Sequence, residues 1–210
     1  MKTLAILGAS GHGKVVADLA SCLDWTTIQF FDDAWPEKSK IGDWDVIGNT
    51  AKLEETINSY HGVVIAIGQN KIRLEKQSRL EQAGGEFVHL IHPSAVVSKR
   101  SSVGPGSVIM AGAIVNAFTV IGRACIVNTA ATVDHDVLIE DGSHISPGAN
   151  LAGAVQVGQC SWVGIGSSVL QNIKIGARAT VGAGAVVIRD VLDYSVVTGC
   201  PAIPLLEKEN

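Results

Sequence analysis

Aromatic residues make up only 5% of this 210-residue chain, and charged residues only 17%. Charge of one sign is nowhere concentrated, and the net value is −4. That balance argues against a nucleic-acid partner, because phosphate binding needs a basic face. No run of eighteen apolar residues occurs, which excludes a transmembrane helix and any insertion into a membrane. The apolar stretch Leu4–Leu7 is too short for the core of a signal peptide, and glycines follow it at once. The four cysteines, Cys22, Cys125, Cys160 and Cys200, form no CxxC pattern, so a cysteine metal cage is not expected. Reduced thiols and a cytoplasmic location are the expectation.

What the chain has instead is aliphatic and regular. Hydrophobic residues reach 47%, and there are 23 glycines, a mixture suited to tight repetitive β turns rather than a helical bundle. From Ile91 to Val187 every sixth residue is Ile, Val or Leu, and seventeen hexads fill residues 91 to 192. The fifth position of the hexad is nearly always small, as at Ala95, Ser101, Ser107, Ala113 and Thr119. A period of six fits neither an amphipathic helix nor an alternating strand. It is the signature of a hexapeptide β-helix, in which residues eighteen apart stack if three hexads make a coil.

Residues 1–90 follow a different pattern. The apolar run at residues 3–8 ends in Gly8, Ser10, Gly11, His12 and Gly13, and helical spacing follows. Strands are expected at Thr27–Phe31, Val63–Ile67 and Glu86–Leu90, with a helix over Lys71–Ala83. This alternation predicts a small Rossmann-like parallel βαβ sheet. Ligands on such sheets bind beyond the carboxyl ends of the strands, where Gly8–Gly13, Asp32-Asp33 and Gly68–Arg73 fall. The glycine spacing is Gly-x-x-Gly-x-Gly rather than the dinucleotide pattern. The free N–H groups of a helix N-terminus there suit a phosphate, and equally the stretch is a tight βα turn. The domain is too short for two mononucleotide halves, which favours one nucleotide over NAD.

Few reactive side chains lie on the coil. His135 is third in its hexad and His144 is sixth in the next, both away from the inward positions. Successive faces let them approach each other round a corner. Gly153 follows His135 by eighteen residues, so about 4.8 Å away on the next coil. A histidine beneath a glycine N–H fits the pairing of a general base with an oxyanion donor, and equally an exposed histidine on a solenoid is an ordinary solvated side chain. A zinc site needs three protein ligands, and no third histidine is near, so no metal is expected. Asp134 and Asp136 flank His135, and an acidic neighbour orients the ring and stabilises its protonated form.

The GASGHGK turn, the stretch VDHDVLIEDGSHISPGANLAG and the ending VTGCPA together resemble the hexapeptide acyltransferases that N-acetylate nucleotide-linked 4-amino sugars, the bacillosamine-pathway type. Sialic acid O-acetyltransferases share that organisation and supply the alternative, acetylation of a sugar hydroxyl. The resemblance spans essentially the whole chain. It implies a left-handed β-helix for residues 91–210, including a C-terminal tail, and a homotrimer with active sites between neighbouring coils. Acetyl-CoA is the implied cosubstrate, and a nucleotide sugar, with UDP favoured, the implied acceptor. His135 is then the general base, Asp136 its polarising partner, and the Gly153 N–H the oxyanion donor. Asn128, His144, Ile165 and Gly182, Ala183 and Gly184 line the acceptor or CoA channel. Gly11, His12 and Gly13 hold the pyrophosphate, with Asp32, Asp33, Gly68 and Arg73 near base and ribose. The family's Gly-x-Pro-Ala-Lys ending here reads Gly199-Cys200-Pro201-Ala202-Ile203, which removes one lysine contact to a CoA phosphate.

Overall fold

The computed structural model describes residues 2–205. The first half builds a parallel sheet from β1 (Thr3–Leu7), β2 (Thr27–Phe31), β4 (Trp44–Gly48) and β5 (Gly62–Ile65), with β3 (Lys40–Ile41) antiparallel at the edge; the order is β3-β4-β2-β1-β5. Helices α1 (Gly11–Ser21), α2 (Thr50–Thr56) and α3 (Asn70–Gln82) connect the strands. The central strand β1 is buried from Leu4 to Leu7, as a strand covered on both faces must be.

Sequence reading missed β3, β4 and α2: β3 has two residues and α2 only two turns, and a turn at Gly42 separates β3 from β4. It also placed a strand at Glu86–Leu90 that does not form. Only one parallel bridge joins Phe87 to Val63, and Leu90–Ile91 pairs instead with Val108–Ile109 of the coil. The chain leaves the first sheet before a further strand can be completed.

From Leu90–Ile91 to Val186–Val187 the backbone forms seventeen two-residue strands, each ending on the first residue of a hexad. Strands pair in parallel with those eighteen residues away, giving three faces. Face I runs from Val96–Val97 through Thr132–Val133 to Val186–Val187; face II from Ser102–Val103 through Leu138–Ile139 to Lys174–Ile175. Face III carries Val108–Ile109, Ile126–Val127, His144–Ile145, Trp162–Val163 and Thr180–Val181. First and fifth hexad residues fill one continuous core, Val115, Ile121, Cys125, Val127 and Ala131 among them. Every fourth position from Gly106 to Gly184 has positive φ, which turns each corner. Among the described residues no helix is long and apolar enough to cross a membrane.

The first domain sits on face III. Val108, Met110 and Ile126, pointing out of the coil, join the cluster of Leu4, Ile6, Val16 and Phe30. A polar seam lies beside it. One stripe of α3 meets the corner between faces II and III: Asn70 donates to the Cys160 and Ser161 carbonyls, Arg73 to Ala124 and Gly142, and Gln77 to Pro105. Residues 70, 73 and 77 share a helix face, so successive turns of α3 engage successive coils.

Candidate active site

His135 stands at the corner between faces I and II. The following residue, Asp136, takes the left-handed conformation of every fourth position (φ 59°), which aspartate tolerates. Its Oδ2 lies 2.7 Å from His135 Nδ1. Asp134 Oδ1 accepts the His135 N–H at 2.8 Å and is itself held by Asn116 Nδ2 at 2.9 Å. The Asp136 hydrogen bond, reinforced by the charge of Asp134, raises the His135 pKa. With Nδ1–H donating to Asp136, Nε2 carries the free lone pair.

The ring lies against Gly153. A Cβ on Gly153 would approach His135 Cε1 at 2.6 Å and Nε2 at 2.7 Å, so only glycine fits beneath this histidine. At some corners the N–H of the third hexad residue is capped by an acid or amide, as Arg123 is by Asp141, Thr129 by Asn128 and Gln159 by Glu140, and at others, Ala111, Ala117 and Ile165 among them, it is not. The Gly153 N–H has no such cap among the described residues.

His144 occupies a different setting, on face III at the domain boundary. Asn128 Oδ1 accepts the Thr129 N–H, which turns Asn128 Nδ2 toward His144 Nε2 at 3.1 Å. The ring stacks on Trp162 at 5.0 Å between centroids. Burial, then the nearby Arg73 charge, hold its pKa down at about 3. A neutral ring that accepts at Nε2 carries its hydrogen on Nδ1, which is buried with no partner. Burial and Arg73 likewise bring His12 to about 4, and its Nε2 is also buried and unpartnered.

The expectation that His135 and His144 meet round a corner is therefore corrected. Each has its own neighbours, and face II separates them within one chain. Arg73 is also corrected. It is 1% exposed and all five of its N–H groups are engaged, on the carbonyls of Ile67, Gly68, Ala124 and Gly142 and on Asn70 Oδ1. None is left for a ribose. Sequence spacing gives no sign of partners 51 and 69 residues away.

The other glycine-loop residues gather at the sheet's carboxyl edge. Ser10 precedes α1 without capping it, so among the described residues the N–H groups of Gly11, His12 and Gly13 have no partner. Gly11 and Gly68 border open space, whereas Gly13 packs so closely on the Gly8 carbonyl that a Cβ would collide. Asp32 Oδ2 accepts the Ala9 N–H at 2.7 Å and fixes the loop to β2. Burial alone would raise the Asp33 pKa, but hydrogen bonds from Lys76 and Thr50 bring it down to about 2. His144, Ile165, Gly182 and Ala183 line one groove of about 480 Å³ on face III, together with Trp162, which sequence reading did not single out. Gly184 follows them, with its N–H on the Ile165 carbonyl. Among the described residues no group of three His, Cys, Asp or Glu is placed to hold a metal.

Comparison with known proteins agrees with this architecture. Residues 3–80 match the PglD N-terminal domain family. A 114-residue stretch is 42% identical to UDP-N-acetylbacillosamine N-acetyltransferase of Bacillus subtilis (strain 168), covering 53% of this chain and 52% of that protein, so the match spans about half the curated relative. Among solved structures, the acetyltransferase domain of PglB from Neisseria gonorrhoeae FA1090 in complex with acetyl coenzyme A superposes with a TM-score of 0.94 at 42% identity, over 97% of this chain and 99% of that one. A histidine-to-asparagine variant of perosamine N-acetyltransferase from Caulobacter crescentus, in complex with CoA and GDP-perosamine, gives 0.93 at 33% identity over 99% and 98%. The fold is thus a Rossmann-like sheet followed by a left-handed parallel β-helix, and the chain belongs to the bacillosamine- and perosamine-type family of sugar N-acetyltransferases.

Proposed function

We propose that this protein transfers the acetyl group of acetyl-CoA to the 4-amino group of a nucleotide-linked amino-dideoxy sugar, UDP-linked by preference, in cytoplasmic glycan biosynthesis. The observation that carries the reading is the His135 ring seated on Gly153 with Asp136 at its other nitrogen. The acceptor amine attacks the thioester carbonyl, and His135 Nε2 takes its proton. The uncapped Gly153 N–H faces the developing oxyanion. Asp136 holds the ring in the productive tautomer and stabilises the imidazolium that forms.

The free N–H groups of Gly11–Gly13 at the α1 N-terminus suit the pyrophosphate, and His12 lies beside them. Asp32, Asp33 and Gly68 border the space left for base and ribose. On the coil, Asn128, His144, Ile165, Gly182, Ala183 and Gly184 form the channel for the acyl donor and acceptor. The groove's lining residues do not include His135. A homotrimer would unite the two, by bringing the His135 corner of one subunit to the face III groove of the next. Val96, Ile114, Phe118, Val120 and Leu170 are exposed apolar side chains on faces I and II, which supports burial of that surface between subunits.

The test is turnover with acetyl-CoA and UDP- or GDP-linked 4-amino sugars. His135→Ala is expected to lower kcat by about 10²- to 10⁴-fold while acetyl-CoA still binds. Unchanged turnover would remove His135 from the mechanism.

A further inference from the structure

Trp162 is the large aromatic side chain in the face III groove, and its surroundings fix it firmly. Its Nε1–H donates to Ser146 Oγ at 2.7 Å, and one side of the indole stacks on the buried His144 ring, tilted by 30°. The polar edge is therefore satisfied, and the side chain, 41% exposed, presents an apolar surface to the groove. The groove is otherwise lined by small or aliphatic groups, Pro147, Gly164, Ile165 and Gly182 among them. Among the described residues no carboxylate, lysine or arginine lines it.

Height along the coil says what this surface meets. Strand partners lie eighteen residues apart, which is one coil or about 4.8 Å, so nine residues raise the chain by about 2.4 Å. His144 follows His135 by nine residues, and Trp162 follows Gly153 by nine. The two pairs thus rise in step on different sides of the prism. Closed rotation about an axis parallel to the coil leaves heights unchanged. Such a rotation brings the groove to the level of the partner subunit's His135 and the partner subunit's Gly153, with the indole beside the oxyanion donor rather than beside the base.

We propose that Trp162 walls the acyl subsite: its ring packs against the acetyl methyl of the donor thioester and sets the length of acyl group the protein transfers. This rests on the function proposed above. His144 backs the indole and Ser146 pins its edge, so the wall cannot swing aside to admit a longer chain. Trp162 acts as a specificity residue, and the amine attack and proton transfer stay with His135.

The experiment compares acetyl-, propionyl- and butyryl-CoA with the unaltered protein, Trp162→Ala and Trp162→Phe. Both kcat/KM with the acceptor and Kd by calorimetry without it are measured. The unaltered protein is expected to favour acetyl-CoA. Trp162→Ala is expected to raise the butyryl-to-acetyl ratio by about tenfold or more, in line with the discrimination an apolar pocket achieves per methylene. Trp162→Phe, which keeps an aromatic wall, should retain most of the acetyl preference. An unchanged ratio in Trp162→Ala overturns the proposal. So does a raised KM for the nucleotide sugar with the acyl preference intact, which would make the indole an acceptor platform. If the unaltered protein acetylates no amino sugar, the proposed function fails, while the Kd series still decides the role of Trp162.

Discussion

Two histidines nine residues apart have opposite environments. At the corner between faces I and II, His135 is open to solvent, paired with one carboxylate and near another, and its pKa is raised. At the domain boundary, His144 is buried, stacked on an indole and close to a guanidinium, and its pKa is lowered to about 3. The first can take up a proton during a reaction and return it to water. The second is locked neutral, with a fixed tautomer. A shared residue type decides little here, and the neighbours supplied by the fold decide the chemistry.

The sharpest way to break the contrast acts on Gly153. A Cβ there must displace the His135 ring, so Gly153→Ala is expected to lower kcat by about 10²- to 10³-fold, measured against an unchanged melting temperature. If catalysis survives, the ring's seat on Gly153 has no role. A smaller effect is expected from Asp136→Asn. Losing the carboxylate lowers the His135 pKa, so the acidic limb of the pH–rate profile moves to lower pH, and the maximal rate falls by less than the Gly153 change lowers it, because a weaker base assists proton transfer less. An identical profile would separate Asp136 from the reaction.

The mildest test concerns the buried partner. His144 and His12 have folded pKa values of about 3 and 4, below the value near 6.5 of an unfolded chain. Between about pH 6.5 and 4 the unfolded state binds more protons, so stability present above pH 6.5 is lost as pH falls. The melting temperature is expected to drop on the order of 10 °C or more across that window. In His144→Asn the drop should be shallower, and an equal slope would mean that His144 does not titrate on unfolding. Carboxylates such as Asp33 contribute only lower, because its folded pKa is about 2.

The coil was legible because each hexad buries an aliphatic first residue and, in most repeats, a small fifth one, and the chain states that pattern along its whole length. The pairing of His135 with Gly153 followed from the same arithmetic. The first domain was less legible. Its buried strands at β1 and β2 stand out as apolar runs, but β3 spans only two residues and β4 follows the turn at Gly42 with exposed residues between its buried ones. Arg73 was misread for a physical reason. An arginine at a strand-end loop looks like a ligand for phosphate or ribose, and only the folded coil supplies the carbonyls of Ala124 and Gly142 that claim it. The separation of His135 from His144 was hidden too, since the hexad frame assigns positions to faces without saying which faces a domain will cover.

The seam between α3 and the coil has a geometric limit. A solenoid offers a docking helix the same face at every coil, so apolar contact alone would let the first domain slide by one repeat. The join at Leu90–Ile91, paired with Val108–Ile109, forbids the slide, while Asn70, Arg73 and Gln77 address carbonyls that recur at this corner on successive coils. They work as a vernier. The helix advances about 5.4 Å per turn and the coil about 4.8 Å, so the two scales drift by only about 0.6 Å per turn. Over the turns of α3 that engage the coil, side chains absorb the drift. A helix twice as long would fall out of step, which sets a natural upper length for any element docked along this corner.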